Sequence, residues 1–140
     1  MPITHTWLDD AHTLICVTLE GQVEYAEYYD GDALSCIMLD GVDHPVDMIC
    51  DYTHQMYFAP GYTENVRQLK SLDHPRLRSA IFVGNPLSWE LFDLYVQQTK
   101  PVKFQYAYAK TMKEALKLID RIRAGKRVTK RRRTIDPKWN

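Results

Sequence analysis

Two short runs constrain this chain more than any other feature. Val46 to Tyr52 (VDMICDY) and Ser79 to Val83 (SAIFV) are mostly apolar, too short for helices, and bounded by turn residues. A strand that is apolar on both sides belongs in the middle of a sheet covered on both faces, which is the setting of parallel strands. Parallel strands need crossovers of a dozen residues or more, usually helical. The rest of the chain must therefore supply crossover helices and a cover for each face.

The flanking segments read accordingly. Ile3 to Trp7 is β-branched and aromatic and reads as a first strand; Thr13 to Leu19 reads as a second, antiparallel to it across the turn 8–12. After Gly21, Val23, Ala26, Tyr29, Ala33 and Ile37 recur at helical spacing, with Glu24, Glu27 and Asp32 left to face water and Tyr28 off the stripe. Gly31 interrupts this pattern as a kink or a break, and Asp40-Gly41 stops it. Thr63 is expected to cap a second helix with a buried stripe of Val66, Leu69 and Leu72, ended by Asp73-His74-Pro75. Ser88 is expected to cap a third helix, containing Trp89, Phe92 and Tyr95. Lys103 to Tyr108 alternates as a half-buried strand near a sheet edge. Thr111-Met-Lys-Glu114 is a capping box opening a last helix with Ala115, Leu116, Ile119 and Ile122 on its buried side and Gly125 after its end. The expected order is β-β-α-β-α-β-α-β-α: an α/β single domain over 1–124 with a mixed, mostly parallel five-stranded sheet and helices packed on it. Residues 125–140 are expected to form a flexible basic tail.

Composition narrows the function classes. The apolar share of 45% and the charged share of 26% are those of a globular chain. No apolar run approaches the roughly 20 residues of a membrane span, and MPITHTWLDD lacks the basic and apolar regions of a signal peptide; a cytoplasmic location is expected. Cys16, Cys36 and Cys50 form no CxxC and read as small buried hydrophobes. The formal net charge of zero hides an asymmetry: residues 1–60 hold eleven acids and no Lys or Arg, while 121–140 hold nine Lys and Arg against Asp136 alone.

Function is sought outside the carboxyl ends of the parallel strands, which points to the stretch 45–65. The candidate binding residues there are Asp51, Tyr52, Thr53, His54, Met56, Tyr57, Phe58, Tyr62 and Thr63. Aromatics and methionine suit an interface or a pocket lining as well as a roof over the sheet's own core. Asp51 reads as a ligand to the backbone of the following loop more readily than as a base. His5, His12, His44, His54 and His74 are scattered without ligand spacing, so no metal is expected; no glycine-rich phosphate loop or nucleophile elbow occurs, so neither a cofactor nor catalysis is expected. The tail cations Lys126, Arg127, Lys130, Arg131, Arg132 and Arg133 suit an acidic partner or nucleic-acid phosphates.

The ordered set of VDMICD, His74-Pro75 before SAIFVG, and the closing FQYAYAKTMKEALKLI resembles SpoIIAA-like, STAS-type domains, a group allied to the CRAL-TRIO lipid-binding superfamily. The family's T-x-x-E-A-L is matched by Thr111, Glu114, Ala115 and Leu116, and the resemblance runs from Ile3 to Arg123. It implies a non-enzymatic regulatory module that docks a protein partner or a second copy, here through the aromatic segment 52–64. An apolar pocket for a small molecule or lipid beneath that segment is the alternative. In the anti-sigma antagonists of that family, a serine in a D-S-x-G motif after the third strand is phosphorylated at the N-terminus of the next helix. No serine occurs between Asp51 and Arg67 in this chain, which leaves Thr63 and Thr53 as candidate phospho-acceptors.

Overall fold

The structure, a computed structural model, describes residues 2–57, 60–99 and 101–129. Five strands, β1 (Ile3–Trp7), β2 (Leu14–Gln22), β3 (Val46–Tyr57), β4 (Leu77–Val83) and β5 (Gln105–Ala109), form one sheet in sequential order. β1 runs antiparallel to β2, and β2 to β5 are parallel. The helices are α1 (Tyr25–Asp40), α2 (Tyr62–Val66), α3 (Pro86–Gln98) and α4 (Met112–Arg123), with a 3-10 turn at Ser71–Asp73. The expected α/β class, mixed five-stranded sheet and element order are therefore present.

Strand order explains where the layers lie. From β2 to β5 the chain steps across the sheet in one direction, and right-handed crossovers then put every connecting helix on the same face. Leu39 of α1, Val66 of α2, and Phe92 and Tyr95 of α3 accordingly share a core with Ile15, Val17, Met48, Ala80, Phe82 and Tyr106. Only α4, after the last strand, is free to cross under. Its Ala115, Ile119 and Ile122 pack on Leu14, Ile49, Ile81 and Val83 of the opposite face.

Several boundaries differ from those expected. Gly31 does not end α1, which runs unbroken to the Gly41 cap. The third helix is capped by Asn85, whose side chain accepts from Leu87 N, with Pro86 in the first turn; Ser88 lies inside the helix and is buried. Proline at the first helical position moves the cap one place upstream of it. β5 begins two residues later than Lys103. Thr111 caps α4 as expected, its Oγ1 accepting from Glu114 N at 3.2 Å, but the Glu114 carboxylate accepts in return from Lys110 N at 3.0 Å, one residue upstream of the cap. Gly125, at φ 83°, follows the helix in the left-handed conformation that glycine adopts without strain. The chain does not leave the domain there: Val128 is buried beneath the sheet, its N–H donates to Gln105 Oε1 at 2.7 Å, and Thr129 Oγ1 accepts from Tyr106 N at 2.7 Å. Residues 128 and 129 thus cover the outer edge of β5, an edge otherwise open to pairing.

At the amino ends of the strands, on the α4 face, Asp47 is fully buried. Its carboxylate accepts from Arg78 Nε (3.0 Å) and Nη2 (2.6 Å), Ser79 Oγ (2.7 Å) and Arg123 Nε (3.2 Å). Four donor groups from three residues around one buried carboxylate tie β3, β4 and the end of α4 together.

Candidate functional site

β3 does not end at Tyr52 in a loop, as the sequence suggests, but continues to Tyr57 past a bulge. Thr18 pairs with Asp51 and Glu20 with His54, so three residues of β3 oppose two of β2. Asp51 holds the bulge. Its Oδ1 accepts from Thr53 N at 2.9 Å and also from the Thr53 hydroxyl. Both the aspartate and the first candidate hydroxyl are thereby engaged in shaping the backbone. Gly84, at φ 92°, passes the bulge so closely that a Cβ on it would lie 2.6 Å from Thr53 Cα. The bulge resets the alternation, which turns Tyr52 and the buried Gln55 toward α1 while Thr53 and His54 are exposed.

Thr63 is not a helix cap. Gly61, at φ 82°, takes that position, and Thr63 is the second residue of a helix only five residues long. So short a helix carries little dipole to favour an anion at Thr63. Val66 is buried as expected, but Leu69 and Leu72 reach the core from the irregular segment after α2. Phe58 and the cations Lys130, Arg131, Arg132 and Arg133 lie outside the described residues; Lys126 and Arg127 are exposed.

Tyr52 and Tyr62 face inward. With Tyr25 and Tyr28 of α1 they line a cavity of about 120 Å³ between the helical layer and the sheet. Ala80 and Phe82 of β4 belong to its sheet side. Small residues leave the space: Gly31 on α1 and Ala80 on β4 both border it. Tyr25 and Tyr28 pack ring to ring at 5.6 Å, and Tyr52 stacks on Phe82 at 6.0 Å. Burial pushes the phenols of Tyr52 and Tyr62 well up, that of Tyr28 up to about 12, and the Cys50 thiol up to about 12. None of these groups offers an anion to chemistry near neutral pH.

The polar groups of the wall are largely spoken for. Tyr28 OH accepts from Gln55 Nε2 at 2.7 Å. The Asp32 carboxylate accepts from Lys70 N at 2.8 Å, Ser71 N at 2.9 Å and the Ser71 hydroxyl, pinning the segment after α2 to α1. His5 and Ser35 stand apart as a pair, Nε2 to Oγ at 2.9 Å. His5 Nδ1 is buried without a hydrogen-bond partner among the described residues, and burial holds the imidazole pKa below its ordinary value. Neither residue was selected from the sequence. His5 was recoverable, since it occupies the inward position of the β1 alternation Ile3, His5, Trp7; Ser35 was not, because its environment depends on how α1 is rotated.

That rotation is the largest departure from the sequence. The stripe Ala26, Tyr29, Ala33 and Ile37 faces solvent, Ile37 being 65% and Leu34 43% exposed, while Tyr28, Ser35 and Leu39 turn to the sheet. α1 is apolar on two sides, and the more regular stripe is the outer one. Among the described residues no cluster of three or more His, Cys, Asp or Glu could hold a metal, the three cysteines are free thiols, and no helix is long and apolar enough to cross a membrane.

No family model matches this chain. No curated protein matches it significantly either. The assignment of a role therefore rests on the site's own geometry.

Proposed function

We propose that the chain is a non-enzymatic, STAS-like binding module whose site is the cavity beneath α1 and α2, holding a small, mainly apolar molecule. The observation that carries this reading is the inward turn of Tyr52 and Tyr62, which makes both of them part of a cavity wall. A tyrosine-lined space beside one neutral polar pair is the composition of a ligand site: apolar walls with a few placed polar groups. In such a module, ligand binding would act on partners through α1 and the irregular 67–73 segment, which share the cavity wall and are tied together by Asp32. The test is native mass spectrometry of protein purified without denaturation. A bound organic molecule, lost on acid unfolding, is the expected result; a bare chain mass from the native host removes the support.

The outer face of α1 favours a second reading, self-association. Tyr29, Ala33, Cys36 and Ile37 floor a shallow groove with Lys70 on its rim, and Asp30 and Asp40 are exposed on the same helix. A second copy meets this face with both signs of charge and a matching apolar stripe. Ile37→Asp should keep the fold and abolish any dimer seen by sedimentation at about 100 µM, a concentration at which a contact with micromolar Kd is populated. A wild-type chain that is monomeric there rules the contact out.

A further inference from the structure

We infer that the cavity takes a neutral, single-ring aromatic molecule bearing one hydroxyl, with that hydroxyl placed on the Ser35–His5 pair. The inference rests on the cavity being the binding site, as proposed above.

Size sets the first limit. A cavity of about 150 Å³ lined by apolar side chains holds a benzene ring. The present one, about 120 Å³, is matched to one ring of similar size. Wall chemistry sets the second. Tyr25, Tyr28, Tyr52, Phe82 and Phe92 surround the space, and aromatic faces and edges favour another ring in offset or edge-on contact.

Charge is the third limit. Among the described residues no Lys or Arg lines the cavity, and the only carboxylate there, Asp32, is committed to Lys70 N and Ser71. A buried charge without a partner is strongly disfavoured, so an aromatic acid or amine is rejected. Hydrogen bonding supplies the last. Asp32 and Asn65 already have partners, and Tyr28 OH accepts from Gln55 Nε2. Ser35 Oγ makes one bond, to His5 Nε2, and a serine hydroxyl has one donor and two acceptor sites. A ligand hydroxyl can donate or accept, so it suits this pair in either imidazole tautomer. A ligand carbonyl requires the serine proton, which the pair uses whenever His5 Nε2 is the acceptor.

The experiment titrates the full chain with benzene, phenol, benzoate and 2-naphthol, following backbone amide shifts, and repeats it with Ser35→Ala. Alanine at a helical, buried serine keeps α1 intact. Phenol should bind at least as tightly as benzene, and Ser35→Ala should weaken phenol tenfold or more while changing benzene less than twofold. Benzoate and 2-naphthol should bind at least a hundredfold more weakly than phenol. Loss of both phenol and benzene affinity in Ser35→Ala, or no selective loss of phenol, overturns the hydroxyl placement. Benzoate or naphthol binding as well as phenol overturns the charge or size limit. In each of those cases the cavity still stands as a site. Shifts from neither benzene nor phenol at millimolar concentration remove the cavity reading itself.

Discussion

Replacing Gly31 by alanine tests how α1 is seated. The helix is continuous through Gly31, and a glycine in a helix interior is about 1 kcal/mol less favourable than alanine. The new Cβ would lie 3.4 Å from Ile3 Cγ2, 3.5 Å from His5 Cε1 and 3.5 Å from Ile3 Cδ1. These are ordinary van der Waals separations, so the methyl adds contact with β1 rather than strain. The two effects share a sign, and Gly31→Ala should stabilise the chain by about 1 kcal/mol, raising Tm by roughly 3 °C for a domain of this size. Urea unfolding followed by circular dichroism reads the change as a higher midpoint with an unchanged m-value. A lower midpoint would refute the reasoning, since it requires that α1 lie closer to β1, or that residue 31 not be helical.

The same substitution has the opposite sign at Gly84, where φ is 92° and a Cβ would meet the Thr53 backbone at 2.6 and 2.8 Å; Gly84→Ala should cost about 3 kcal/mol or more in urea unfolding, and a neutral result would dissolve the bulge. Asp47→Asn leaves Arg78 and Arg123 facing a neutral amide at a fully buried position, and a loss of about 3 kcal/mol is expected by the same assay. Burial lowers the His5 pKa, so below the ordinary histidine value near 6.5 the unfolded chain binds a proton that the native one does not; stability should fall as pH drops through about 6.5 toward the lowered native value. His5→Gln should remove that share of the slope, and an unaltered pH profile of the unfolding midpoint would show that His5 titrates normally.

The fold was legible because its signals are local. Apolar runs at 46–52 and 79–83, the Thr111 capping box and the Gly41 stop depend on neighbouring residues, and each marks an element that exists. The site was less legible because it depends on rotation and register. The bulge at Asp51–His54 inserts one residue and reverses which side chains face inward, so Tyr52 and Gln55 share a face that strict alternation denies them. α1 misled for a related reason: periodicity finds a stripe but not the side it faces, and this helix has two. Nor does spacing distinguish Gly61 from Thr63 as the cap, since a left-handed glycine can take that place without supplying a side-chain acceptor.

The rotation of α1 and the bulge in β3 set where the cavity lies. If Tyr29 and Ile37 packed on the sheet, the space between α1 and β4 would be filled by large side chains. The observed rotation brings Gly31 and Ser35, one turn apart, against His5, and leaves Ala80 below them. A helix under selection for packing alone has no use for glycine at position 31, where alanine fits and is worth about 1 kcal/mol. Retaining it opens room beside the Ser35–His5 pair. If the cavity is the working part of the molecule, Gly31→Ala should therefore raise stability and weaken phenol binding together, the trade expected where function opposes packing. A more stable variant that binds phenol unchanged would separate the glycine from the site and return it to an accident of packing.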